Sequence, residues 1–159
     1  MSRRIIKFGK WNDQDLEWEV LKENKFELLV ICRTAIVKRR FNGNSSYNGW
    51  IKSELRNFLQ EEFYKKAFSI EEKQRIINTK LSDVEDSKDN VFILSRKEVE
   101  TLLTDGDDYE ENGSDCSYCV WTRTKDGSGI DHGFASGCWC SHSSTDSYYV
   151  RPAMYLKKN

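Results

Sequence analysis

The first part of the chain alternates between apolar and charged residues. Leu16, Trp18 and Val20 are separated by glutamates, and this period of two is typical of a strand with one buried face. A polar stretch at residues 22–25 follows, and residues 26–32 (FELLVIC) are mostly apolar. Because two such runs joined by a short polar turn form hairpins, the pattern predicts a β-hairpin near the start of the fold.

The middle of the chain changes to helical spacing. From about Trp50 to Tyr64 the apolar residues recur every three or four positions, which predicts an amphipathic helix. Just before this stretch, residues 41–47 are rich in Asn, Ser and Gly and are interpreted as a loop.

Two capping boxes mark the starts of two further helices. In Ser69–Glu72 and in Ser95–Glu98, the serine hydroxyl and the glutamate carboxylate can bond backbone N–H groups that the first turn leaves free. We expect the first of these helices to run to about Asn78 and to bury the isoleucine pair before it. We expect the second to end near Thr104, before a glycine.

Short strand-like segments complete the pattern. They are residues 91–94, Tyr118–Thr124, Gly133–Cys140 and Tyr148–Leu156. Within the last of them, Pro152 suggests a bulge or an edge position, and Arg151 is expected to pair with an internal carboxylate. Strands, then helices, then strands are typical of an α+β fold with an antiparallel sheet, and without a linker or repeat the chain is predicted to be one domain, residues 1–159.

Composition narrows the class of protein. The 159 residues include 20 aromatic ones (8 Phe, 7 Tyr and 5 Trp), which disfavours disorder, and no apolar run is long enough for a membrane span. The start of the sequence has no apolar signal core, so we expect a cytoplasmic protein unless a signal has been removed. Residues 1–80 carry a net charge of +6, yet only Lys38-Arg39-Arg40 form a dense cluster, so nucleic-acid binding is not expected.

Four cysteines are candidates for a metal site. Cys116 and Cys119 form C-x-x-C, and Cys138 and Cys140 form C-x-C, so four thiolates could build a tetrahedral zinc site. Buried free thiols, disulfides or redox chemistry remain alternatives. Either of the two histidines, at positions 132 and 142, could replace a sulfur. Cys32, in the second predicted strand, is assigned to the core.

Aromatic residues in the C-terminal third are candidates for ligand contact. Together with Ser- and Gly-rich loops they resemble the composition of antibody binding surfaces, although some of them are expected in the core. The predicted ligand-binding residues are Trp121, Arg123, Trp139, Tyr148 and Tyr149. Trp18, Trp50 and Phe58 are assigned to the core.

Several segments, in the right order, resemble one family. They are LEWEVL at residues 16–21, WIKSELRNFL at 50–59, DNVFILS at 89–95, VWTRT at 120–124 and YVRPAMYL at 149–156. The family is the bacterial domain of unknown function 6273. This chain departs from its pattern in an acidic loop, Asp105–Asp115, and in the four C-terminal cysteines.

The resemblance implies a fold similar to C-type-lectin-like domains and formylglycine-generating enzymes. In such folds the N- and C-terminal strands pair in an antiparallel sheet, with about three flanking helices here. The family has no established activity, so we expect no catalytic residues. The hypothesis is a non-enzymatic binding module that presents loops between Tyr109 and Tyr149 to a protein or glycan. The alternatives are a domain stabilised by zinc on the four cysteines, a metal-dependent redox domain, and a phage-associated component that assembles with itself.

Overall fold

The computed structural model describes residues 3–43, 49–103, 120–125, 132–136, 140–143 and 145–159. Ten strands and four α-helical segments follow one another within these ranges. The strands are β1 (Ile5–Trp11), β2 (Gln14–Glu23), β3 (Glu27–Cys32), β4 (Val37–Arg40), β5 (Ile76–Ile77), β6 (Val120–Lys125), β7 (His132–Ser136), β8 (Cys140–Ser143), β9 (Ser147–Val150) and β10 (Ala153–Lys157). The helices are α1 (Glu54–Asn57), α2 (Tyr64–Ala67), α3 (Ile70–Arg75) and α4 (Arg96–Leu102). The α+β class is therefore confirmed.

The first sheet contains both the first and the last strand of the described chain. Its order is β1-β2-β3-β10-β5, with antiparallel pairs throughout. The predicted hairpin is confirmed as β2 and β3, and β10 pairs with β3 from Ala153↔Ile31 to Lys157↔Glu27. The expected pairing of the first and last strands needs a correction, because the unpredicted β1 is the first strand and lies at the sheet edge, away from β10.

A bulge in β1 depends on a glycine. The register of β1 against β2 shifts between Lys7 and Lys10, and Gly9 within the shift has a φ of 77°. A Cβ atom at this position would lie 2.6 Å from the Phe68 ring, so a side chain would be both strained and obstructed. The Gly9 N–H donates to the Glu72 carboxylate at 2.7 Å, which ties β1 to α3.

The predicted helix at residues 50–64 is displaced along the chain. Ser53 caps α1 by accepting from the Arg56 N–H, and α1 continues through one π-helical segment, Phe58–Phe63, into α2. The helical stretch thus spans Glu54 to Ala67. Both capping boxes are confirmed, at the start of α3 and at the start of α4.

Two predictions about the connections are wrong in detail. The helix expected to reach Asn78 ends at Arg75, because Ile76 and Ile77 pair with β10 as the short strand β5. Residues 91–94, predicted as a strand, are buried but join the first sheet only through a single bridge between Phe92 and Ala153.

The second sheet has the order β4-β9-β6-β7-β8. It is antiparallel except for β6 and β9, which run parallel with Val120 opposite Tyr149. The predicted strand Gly133–Cys140 overlaps β7 and includes the first residue of β8. The predicted strand Tyr148–Leu156 is two strands, β9 and β10, which belong to different sheets.

Arg151 and Pro152 form this crossing point, since they lie between β9 and β10. The Pro152 carbonyl accepts from the Cys32 N–H at 2.8 Å, and the Arg151 side chain donates to the Cys32 carbonyl at 2.9 Å. Among the described residues, the partner of the Arg151 side chain is therefore this carbonyl oxygen, and none of their carboxylates pairs with it as we expected.

The core lies between the first sheet, the helices and the crossing segment. Trp18, Trp50, Phe58 and Cys32 are all buried there, as predicted. The Trp18 indole N–H donates to the Phe8 carbonyl at 2.7 Å, so its one polar group is satisfied inside the core. Among the described residues, no helix combines the length and the apolar character needed to cross a membrane.

Candidate ligand-binding surface

Strands β4 and β9 form a ribbon with two different faces. Their antiparallel register places Lys38 opposite Tyr149 and Arg39 opposite Tyr148. Because opposite residues share a face and consecutive residues alternate, the two tyrosines point to opposite sides. We call the side with Lys38, Arg40, Ser147 and Tyr149 the outer face, and the side with Val37, Arg39, Tyr148 and Val150 the inner face.

The inner face packs against buried aromatic rings. Tyr148 meets Trp121 edge-to-face with a ring separation of 5.2 Å, and Trp121 in turn meets Phe41 at 5.5 Å. The Trp121 indole N–H donates to the Arg39 carbonyl at 3.0 Å. Only 1 % of Trp121 is exposed, so its ring holds the ribbon on the core and is not available to a ligand at the surface, contrary to our expectation.

Arg123 is also buried, and each of its three guanidinium nitrogens donates to a described residue. Its guanidinium donates to the Asp83 carboxylate at 2.6 and 3.1 Å, to the Glu98 carboxylate at 2.6 Å and to the Ile93 carbonyl at 2.8 Å. Glu98 is at the same time the glutamate of the α4 capping box. Arg123 therefore joins β6 to the start of α4, and the ligand contact predicted for it is replaced by this structural role.

The outer face is the accessible part of the predicted site. Lys38 and Arg40 are exposed and Tyr149 is half-buried. The Lys38 ammonium lies 5.4 Å from the centre of the Tyr149 ring, within the range of a cation–π interaction. The structure describes four of the five predicted ligand-binding residues, and among these four Tyr149 shares a face with exposed cations.

The remaining candidates fall largely outside the described residues. Trp139, Cys116, Cys119 and Cys138 lie there. Cys140 begins β8, where it pairs with Ala135 of β7. The two histidines are placed in the same pair of strands, at the register positions His132↔Ser143 and Gly133↔His142. Within the part of the chain that the structure describes, no three potential ligands from His, Cys, Asp or Glu come together, so the zinc site stays a prediction.

Cys32 differs from the other cysteines in being fully described. Burial raises the pKa of its thiol to about 11. The thiol is therefore protonated at neutral pH and behaves as a small apolar core group instead of a nucleophile.

The sequence pattern does not indicate that Lys38 and Arg40 share a face with Tyr149. Their short basic cluster is too small to predict contacts with nucleic-acid phosphates, and the structure places both side chains on the same face as Tyr149. The four-residue pattern of β4, in which the two exposed positions are both cationic, could have indicated a strand with a basic outer face.

Comparison with known proteins places the chain in a family. The family described as Domain of unknown function (DUF6273) matches residues 27–158, which is most of the chain. No significant match to the chain is found among curated proteins or among solved structures. The protein belongs to the DUF6273 family.

Proposed function

We propose that this protein is a non-enzymatic binding module that presents the outer face of the β4–β9 ribbon to a protein or glycan ligand. The observation that carries the proposal is the pair formed by the exposed Lys38 and the half-buried Tyr149, with the exposed Arg40 on the same face. Tyrosine offers rigid, amphipathic contact area at a low entropic cost, and the two cations favour a ligand that carries carboxylates.

The packing behind the ribbon supports this use of its surface. Tyr148 and the buried Trp121 fix the inner face, and the Arg39 guanidinium stacks 4.3 Å from the centre of the Phe58 ring. A face backed in this way changes little on binding, so less conformational entropy is lost when the ligand arrives.

A C-type-lectin-like architecture would place the same face in a suitable position. The pairing of β10 with the hairpin and the short strands of the second sheet are consistent with such a fold. Trp139 lies between β6 and β9 in the sequence, outside the described residues, and it stays a predicted ligand contact. This fold assignment is part of the proposal.

The test uses a matched pair of lysines. Lys22 lies over the Tyr155 ring at 5.8 Å in the first sheet, so it is a chemical copy of Lys38 on another surface. After a glycan array and a pull-down have identified a ligand, we expect Lys38→Gln and Tyr149→Ala to weaken its binding by about tenfold or more. We expect Lys22→Gln to leave it unchanged. Wild-type affinity in both outer-face variants would refute the proposed surface.

Measuring the metal content of the purified protein distinguishes this proposal from the alternative of a zinc-stabilised or redox domain. Protein purified under reducing conditions should hold about one equivalent of zinc per chain, or a comparable amount of copper, if the four cysteines form a metal site. A metal-free protein that keeps its fold and its ligand supports the binding module alone.

A further inference from the structure

A basic cleft lies on the first sheet, away from the β4–β9 ribbon. It has a volume of about 310 Å³ and lies where the start of β1, the end of α3 and the residues after β10 meet. Four basic residues, two aliphatic residues and Asn159 line it; the first six are Arg4, Lys7, Arg75, Lys158, Ile6 and Leu28. Among the described residues, no aspartate or glutamate lines this cleft.

The cations are only partly neutralised. Glu23 accepts from Lys158 at 2.8 Å and from Arg4 at 3.3 Å, so one carboxylate pairs with two of the lining cations. The Lys7 side chain has no ion pair or hydrogen bond within the described ranges. Because exposed like charges repel, cations gathered around one cavity favour an anion between them.

No carboxylate of the described residues pairs with Arg75. Its guanidinium donates to the Lys157 carbonyl at 3.1 Å and lies 5.4 Å from the centre of the Phe8 ring. The Nε atom is buried and has no hydrogen-bond partner among the residues that the structure describes. A planar guanidinium that is positioned by a carbonyl and a ring, with donors to spare, suits the two oxygens of a phosphate or sulfate.

We propose that this cleft binds the phosphate or sulfate group of a small ligand, with Arg75 and Lys7 as the principal contacts. The aliphatic side chains of Ile6 and Leu28 would pack against an apolar part of that ligand. The site is independent of the proposed ligand surface on the other sheet, since the two share no residue.

The experiment titrates the full chain with inorganic phosphate at constant ionic strength, with chloride as the balancing salt, and follows amide NMR shifts. We expect saturable shifts at Lys7, Leu28 and Lys158 with a dissociation constant of about 1 mM or below, and weaker binding of acetate. Sulfate in place of phosphate tells which of the two oxyanions is preferred.

The variants identify the site. Arg75→Gln and Lys7→Gln should each weaken phosphate binding by about tenfold, because each removes a charged hydrogen bond. If Arg75→Gln disturbs the fold, its weaker binding cannot be interpreted, and the result for Lys7→Gln then decides the test. Lys65→Gln is the control, since Lys65 pairs with Glu61 on the exposed side of the helical stretch. Non-saturable shifts, equal binding of acetate, or wild-type binding by Lys7→Gln would each overturn the proposal.

Discussion

Asp89 and Arg123 are both buried charges, but their partners differ. The Asp89 side chain is 0 % exposed, and it accepts from the Trp50 indole at 2.6 Å and from Arg56, whose side chain is 23 % exposed. The Arg123 side chain is 2 % exposed, and its carboxylate partners are 42 % exposed in Asp83 and 26 % in Glu98. One site buries an anion with a single cation, whereas the other buries a cation between two half-solvated anions.

This difference predicts which of the two charged side chains is more costly to replace. If Asp89 is removed, the buried Trp50 N–H keeps no acceptor, and a buried unsatisfied donor carries its full desolvation cost. If Arg123 is removed, Asp83 and Glu98 can turn to water. The free energy of unfolding should therefore depend more on the buried anion than on the buried cation.

The largest effect is expected for Asp89→Asn. The amide of asparagine would place a donor against Trp50 or Arg56, so we expect a loss of about 3 kcal/mol in the free energy of unfolding. Urea denaturation measures it. Asp15→Asn, at an exposed pair with Lys10, is the control and should change stability by less than about 0.5 kcal/mol. An Asp89→Asn loss as small as that of the control would contradict the comparison.

The local elements of this structure could be predicted because their determinants are close in sequence. The capping boxes at Ser69 and Ser95 each rely on a serine and a glutamate three residues apart, and both were found. The second partner of each glutamate lies far along the chain: Gly9 for Glu72 and Arg123 for Glu98. A pattern within one helix contains no information about such a partner.

The same limit applies to strand ends and to the site. Ile76 and Ile77 continue a helical pattern, and only the edge of β10 turns them into a strand. The stretch from Tyr148 to Leu156 is apolar or aromatic on both sides of Arg151 and Pro152. Pro152 indicates a bulge or an edge, but not that the chain passes to another sheet there. In the sequence, Trp121 and Tyr149 are both aromatic residues near a loop. Trp121 is buried because it packs against Phe41 and Tyr148, which are distant from it in the sequence.

A smaller loss is expected for Arg123→Met. Methionine retains the apolar part of the side chain, while the Ile93 carbonyl loses its donor and the two carboxylates become hydrated, so we expect about 2 kcal/mol. Arg33→Met is the matched control, because the pair of Arg33 with Glu17 is exposed on both sides and should contribute less than about 1 kcal/mol. The comparison is reversed if Arg123→Met destabilises the protein more than Asp89→Asn in the same urea assay.

The smallest effect is expected at a pair with no buried member, Glu23 and Lys158. The hydrogen bond from Lys158 lowers the pKa of the Glu23 carboxyl, and the charge of Arg4 lowers it further. Because the folded pKa is depressed, the stabilisation is present above the unfolded pKa of about 4.3 and is lost as the pH falls through the folded value. In chloride buffer the melting temperature of the wild type should exceed that of Glu23→Gln slightly at pH 7. The gap should close in acid and should shrink in about 1 M salt, where charges are screened within about 3 Å. If the difference in melting temperature instead grows as the pH falls, the ion pair destabilises the fold. In that case the exposure of the charged side chains does not predict how much each of the three ionic sites stabilises the protein.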